Sequence, residues 1–299
     1  MSTFRSEINR VLKDRMNADP EVVVLGQSVR DPYGGAFKVT RGLTRYFDDR
    51  IIDLPISEAS SIGLAVGMSL EGYLPIVEIM FSDFLTLCVD QVYNGIVKFN
   101  DMYDLKAKVI IRAATGAGRA YGSTHSQNLE TLFLAIPQVA VFTPGLHSSF
   151  DQMYTEAFEH VGASLIVEEK LLYDQEMRTA EKNDFTDSVL DVATYGCFAH
   201  IVRDLADKYP INPVLFDRIK PLPDFHAGNR TCLVVEPSYC DQTFASWFAW
   251  KAGRKYEQLH FLGAVQPTLP CNPDDEQRCI VTAERIEQEI KRVLKARHV

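Results

Sequence analysis

No stretch of the sequence reaches the roughly eighteen consecutive apolar residues that a membrane-spanning helix requires, so no membrane segment is expected. Basic residues are in the minority. The 31 lysines and arginines stand against 40 aspartates and glutamates, and the net charge of −9 argues against nucleic acid or an anionic membrane as a partner. The amino-terminal MSTFRSEINRVLKDRM is charged throughout and lacks the apolar centre of a secretory signal. Six cysteines (88, 197, 232, 240, 271 and 279) never fall at CxxC spacing. With no signal, they read as reduced thiols of a cytoplasmic protein. Cys271 and Cys279 have the wrong spacing for a structural zinc site, and no metal is expected on this chain. GxGxxG and P-loop patterns are absent, which disfavours nucleotide binding through either. GxSxG, HExxH and Ser/His/Asp patterns are missing too, removing the common hydrolase readings.

What is present is a rhythm. Apolar side chains make up 46% and charged ones 24%, the balance of a globular protein with a full core. Short apolar runs (EVVVLG, RIIDLPI, PIVEIM, KVIIRAAT, VAVFTP and SLIVEE) alternate with helical periods over 58–72, 84–100, 127–135 and 148–160. Nearly continuous Val/Ile/Leu strands between helices predict a parallel sheet covered on both faces. A polar stretch at 173–188 breaks the rhythm and reads as a linker. The alternation then restarts with VLDVATYG, FAHIVRDLADKY, NPVLFDRI, TCLVVEP, FASWFAWKAGRK, QLHFLG and a closing helix. Two α/β domains are therefore expected, 1–175 and 188–299.

Three segments could carry chemistry. Glu58 lies between LPI and IGLAVGM. After Ser57, which suits a helix N-cap, an acid in a first helical turn is explained by the dipole alone. A carboxylate flanked by apolar runs also loses water, as acid/base groups do. On the residues alone both readings stand. The glycine-rich RAATGAGRAYGSTHSQNLE, 112–130, can pass close to a ligand, and His125 near its end is either functional or a solvated bystander. EIMFSDFLTLCVDQVYNGIVKFN, 78–100, has one broad apolar face, and Phe81 and Phe84 at its start read as core by size and spacing.

The order VVVLGQSV, GGAFKVTRGL, RIIDLPISEASSIGLAVGMSLEGYLPIVEIMFSDF, DQVYNGIVK, IIRAATGAG, GSTHSQNLE resembles the beta subunit of thiamine-diphosphate-dependent 2-oxo acid dehydrogenases. That group includes the pyruvate and branched-chain decarboxylase components. PVLFDRIKPLPDF and TCLVVEPSYCDQTFASWFA look like strands of the same family's C-terminal domain, so the resemblance covers nearly the whole chain. It implies a pyrimidine-binding parallel-sheet domain followed by a smaller transketolase C-terminal-like α/β domain. It also implies that Glu58 hydrogen-bonds the aminopyrimidine of thiamine diphosphate and assists its activation. His125 falls on the substrate-side histidine of the HSQ motif. Met80 and Phe84 fall on positions that pack against the aminopyrimidine.

The family holds the diphosphate through magnesium with a GDG motif on an alpha subunit, and this chain has no GDG. The resemblance therefore implies an alpha partner and an α2β2 assembly, and leaves open whether a lipoyl-bearing acyltransferase is a further partner. Some positions depart from the family. GQS stands at 26–28 where many relatives read GED, and 263–279 is unusual. His160 and Gly162 replace the Asp and Asn of the potassium site in some relatives, so no such ion is expected. Two other readings stand beside a 2-oxo acid decarboxylase. One is the half-chain of a split transketolase-like enzyme acting on sugar phosphates or in a secondary-metabolite pathway; the other is a non-catalytic scaffold subunit.

Overall fold

A computed structural model describes residues 2–179, 185–239, 243–266 and 268–296. The middle of the polar stretch 173–188, Cys240, Pro267 and residues 297–299 lie outside that description. Strands β1 (Val22–Gly26), β2 (Ile51–Asp53), β3 (Leu74–Ile79), β4 (Lys108–Thr115), β5 (Val139–Phe142) and β6 (Gly162–Glu169) form a parallel sheet. Its order is β2-β1-β3-β4-β6-β5, with a seventh strand, β9 (Arg218–Lys220), antiparallel on β5. The second sheet holds β7 (Leu190–Tyr195), β8 (Ile211–Phe216), β10 (Thr231–Tyr239) and β11 (Gln258–Ala264), all parallel, in the order β11-β10-β7-β8. The expected α/β class and pair of parallel sheets are what is found.

Period-two alternation distributes the central strands between two cores. Val109, Ile111 and Ala113 of β4 point to the face covered by α2 (Glu58–Leu70), whereas Ile110 and Ala114 point to the face covered by α1 (Phe4–Ala18) and α4 (Phe150–Glu159). The charged amino-terminal segment thus forms a helix that buries Phe4, Ile8, Val11, Leu12 and Met16, a stripe at helical spacing hidden among its charges. The first of these cores continues into the second half of the chain through Tyr195, Phe216, Phe244 and Phe248.

Three segments differ from expectation. Residues 84–100 keep the expected buried face (Leu85, Cys88, Val92, Ile96, Val97), but the backbone runs as a 3₁₀ segment, Ser82–Cys88, then a π-helical one, Gln91–Lys98, before α3 (Phe99–Tyr103). Burial selects the face and tolerates more than one hydrogen-bond pattern beneath it. The helix expected at 127–135 shrinks to a 3₁₀ turn at Glu130–Ala135. Asn128 and Glu130 turn inward, and Ile136, ahead of Pro137, is extended. NPVLFDRI divides at Asp217 into strands of different sheets. The Asp217 carbonyl accepts from Thr143 N–H at 2.8 Å and its carboxylate from Ser148 Oγ at 2.7 Å, which turns the chain.

The face shared by α1 and α4 buries a charged group. Glu78 of β3 pairs in register with Arg112 of β4, and Glu168 lies on β6. Arg112 is 1% exposed, donates to both Glu168 oxygens at 2.7 Å and to Glu78 Oε2 at 3.0 Å, and Tyr173 OH donates to Glu168 at 2.9 Å. Burial pushes the Glu78 carboxyl up, against the pull of Arg112. Arg112→Met keeps much of the volume but leaves two buried carboxylates without a counter-ion, and should lower unfolding free energy by about 3–5 kcal/mol. Urea denaturation measures this, and a loss under ~1 kcal/mol would mean the three strands are not coupled through the group.

Candidate active site

In open parallel sheets, ligands bind beyond the carboxyl ends of the strands, and every sequence-selected polar residue lies there. Gln27 follows β1, Glu58 follows β2 at the start of α2, Met80 and Phe84 follow β3, and the His125 loop follows β4. The chain is brought to one edge from four strands.

Glu58 is 6% exposed and in the first turn of α2, where the helix dipole favours a negative charge. Ser57 holds the N-cap position, but its hydroxyl donates to Ser60 Oγ at 2.7 Å instead of capping the backbone. Gln27 Nε2 donates to Glu58 Oε1 at 3.1 Å, so an amide occupies the position that the GQS departure had marked. No other hydrogen bond to the Glu58 carboxylate is found among the described residues. Cys88 links it to the next group. Burial first, and then the Glu58 charge, push the Cys88 thiol up to about 12, and the thiol donates to Phe84 O at 3.7 Å.

His125 sits between two rings. Its centroid is 4.7 Å from Phe81 and 5.4 Å from Phe84, both edge-on, and Nδ1 lies 2.8 Å from Thr124 Oγ1. Phe81 and Phe84 are half-buried and form the wall of this group, which size and spacing alone had assigned to core. Met80 lines a small pocket with Phe37, Val39, Glu78 and Arg112. The His125 loop needs its glycines at one point above all. Gly116 has φ +95° and a Cβ there would lie 1.8 Å from Glu169 Oε2.

Sequence reasoning missed the residue beneath the histidine. Lys170, the first residue after β6, is fully buried, and its Nζ donates to His125 O at 2.6 Å beneath the rings of Phe81 (5.3 Å) and Tyr121 (5.9 Å). Burial lowers its amine to about 8, while Glu169, Asp83 and Glu276 pull the other way. Burial likewise raises Asp83. Behind Lys170 lies an acidic group, with Glu169 accepting from Asn128 Nδ2 at 3.0 Å and Glu130 raised to about 7 by burial and its neighbours' charge. A lysine closing a buried strand, in EEK, was the available signal.

The family model described as "Transketolase, pyrimidine binding domain" matches residues 1–175. The beta subunit of acetoin:2,6-dichlorophenolindophenol oxidoreductase from Cupriavidus necator is 33% identical over 225 residues, 68% of this chain and 67% of that one. The beta subunit of the pyruvate dehydrogenase E1 component from Gracilaria tenuistipitata var. liui is 36% identical over 230 residues, 70% of each chain. The chain belongs to the transketolase pyrimidine-binding family. Within this family its sequence relatives are dehydrogenase beta subunits, as the motif order implied. The match to the corresponding subunit from Chaetosphaeridium globosum, 36% identical, spans 64% of that protein, so about two thirds of these relatives' length is covered. In fold, the chain is similar to a structure titled "Split gene transketolase, inactive beta4 tetramer", with a TM-score of 0.78, 17% identity and 99% coverage of both chains. A transketolase from Leishmania mexicana gives a TM-score of 0.75 at 13% identity, covering 99% of this chain and 46% of that one.

The lowered Lys170 amine has a pH signature. Below pH 8 it is protonated in folded and unfolded chains alike; between about 8 and the ordinary 10.5 the folded chain holds fewer protons, so this group adds stability as pH rises. The unfolding free energy of wild type relative to Lys170→Met should therefore increase by ~2 kcal/mol from pH 8 to pH 10. Denaturant titrations of both proteins across that range measure it. A falling difference would contradict a desolvated amine.

Proposed function

We propose that this chain is the beta subunit of a thiamine-diphosphate-dependent 2-oxo acid decarboxylase, working as an α2β2 assembly. Glu58 holds the pyrimidine end of the cofactor and His125 faces the 2-oxo acid. The observation that carries this reading is the placement of Glu58 and the His125–Phe84 pair at one edge of a sheet whose residues match the pyrimidine-binding family.

The residues suit half of such a site. Glu58 has one oxygen held by Gln27, while the other has no hydrogen bond to a described residue and can accept from a ring N–H. Its burial limits competing water. Phe84, half-buried, offers an apolar surface nearby, and Met80 is assigned to the same wall by the family motif. No cluster of acidic, histidine or cysteine side chains that could hold a metal occurs among the described residues. An alpha subunit with a GDG motif and magnesium is the proposed holder of the diphosphate. When bound, thiamine diphosphate would supply a carbon nucleophile for the 2-oxo group and an electron sink for its decarboxylation.

Glu58 contributes by exchanging a proton at the pyrimidine nitrogen, which shifts the ring toward the tautomer able to act as a base. Gln27 contributes a neutral donor that fixes the orientation of the carboxyl group. His125, held by Lys170 and edge-on to two rings in a largely apolar setting, presents a polar ring to substrate. We place the working units at 1–175 and 188–299 and the protein in the cytoplasm, where the free thiols of the five described cysteines fit a reducing compartment. No helix among the described residues is long and apolar enough to cross a membrane. A lipoyl-bearing acyltransferase is the proposed acceptor.

Co-expression with a GDG-bearing alpha chain should give cofactor-dependent decarboxylation of a 2-oxo acid, read by carbon dioxide release. Transfer from a ketose phosphate to an aldose, with no such release, would favour the split transketolase-like reading instead. In the active complex, Glu58→Gln should assemble normally while exchange of the thiazolium C2 proton slows by on the order of 100-fold. Unchanged exchange would reduce Glu58 to a helix-start residue. His125→Ala should keep cofactor affinity and lose turnover by roughly 10²–10³. Isothermal titration and steady-state rates separate the two effects, and lost affinity with intact turnover would refute the substrate-side role.

A further inference from the structure

The segment 263–279, which departs from the family pattern, ends in α7 (Pro273–Cys279). Asn272 caps it through the N–H groups of Asp274 (3.0 Å) and Asp275 (3.2 Å), with Pro273 at its first position. This short helix delivers one side chain inward. Glu276 is 1% exposed, and its Oε2 accepts from the Ala120 N–H at 2.9 Å, across 156 positions of sequence. Its Oε1 is buried without a partner among the described residues.

Ala120 is an unusual place to be held. Its φ is +53°, between Gly118 at +90° and Gly122 at +78°, on the loop that leads to His125. For a residue with a Cβ that conformation costs about 1–2 kcal/mol, so it persists only when its surroundings impose it. The surroundings come from both sides. Cys271 packs on the loop so closely that a Cβ on Gly122 would lie 3.2 Å from its own Cβ. Arg119 Nη2 donates to Lys170 O at 2.9 Å, and the Arg119 Nε is buried with no partner among the described residues. Lys170 in turn holds His125 O, and the Glu276 charge favours its protonated form. A carboxylate from the second half of the chain therefore touches the backbone of the histidine loop and acts electrostatically on the lysine beneath it.

We propose that Glu276 is a positioning residue for the His125 side of the site, clamping the 116–125 loop from α7 so that the imidazole stays against Phe81 and Phe84. This rests on His125 facing substrate. The clamp itself can be read without turnover. Glu276→Ala and the longer apolar Glu276→Met both remove the acceptor, so loss of the fold in one leaves the other. Glu276→Gln keeps a carbonyl for Ala120 and loses only the charge. In the isolated chain, amide hydrogen exchange at Ala120 should quicken at least tenfold in the Ala and Met variants and stay near wild type in the Gln variant. In the assembled complex, the Ala or Met variant should lose at least tenfold in kcat with unchanged cofactor affinity, and Gln should restore most of it. Unchanged exchange at Ala120 in a folded Ala or Met variant overturns the clamp. Faster exchange with unaltered kcat and KM overturns its role in positioning His125. If wild type itself turns over no 2-oxo acid, the functional reading fails, while the exchange measurement still decides whether Glu276 holds the loop.

Discussion

Arg112 and its two carboxylates join the three central strands on a face otherwise given to apolar packing. Burying three charges is expensive, and the cost is met only if the geometry is tight. Here it is: two donors meet Glu168, one meets Glu78, and Tyr173 covers Glu168. The same group reaches the edge where the site lies. Glu78 is two residues before Met80, and Glu168 is two before Lys170. A shift of β3 against β6 would separate the aromatic wall from the lysine that supports His125. The strands' relative register, and with it the spacing of the site, depends on this ionic contact.

Much of this was legible because the physics is local. Val/Ile runs such as EVVVLG and KVIIRAAT can hardly be anything but buried strands. Glu58 is conspicuous because its neighbours are apolar, and His125 because three glycines precede it. What the sequence hid was non-local. Lys170 looks like any strand-ending lysine until the fold closes the His125 loop over it. Glu276 sits in PDDEQRC among acids that are solvated, and only the docking of α7 singles it out. In α1 the charges mask a stripe whose members are three or four residues apart. Within 84–100 the apolar period is honoured while the backbone is not, since periodicity reports which face is buried and carries little about turn width.

Five buried titratable groups are pushed toward their neutral forms. Glu78, Asp83, Glu130 and Glu169 are raised and Lys170 is lowered, each chiefly because water has been removed. Several lie close to the strand ends that carry Glu58 and His125. Such a setting weakens the preference for charged forms and makes proton exchange less costly at near-neutral pH. The energetic burden falls on packing, which must hold these groups in place.

The strand Arg218–Lys220 comes from beyond the polar stretch yet completes the first sheet against β5. Trp247 Nε1 fastens it at Ile219 O, 3.0 Å away, and Lys220 Nζ reaches back to Phe133 O at 3.2 Å. Such a borrowed edge makes the two halves a single folding problem. A piece cut in the polar stretch would leave the backbone of β5 bare, together with apolar side chains that Phe216 and Phe244 now cover. Exposed edges of that kind pair with other chains. Gene rearrangements that separate the halves would therefore be selected against at the level of solubility, before any question of catalysis arises.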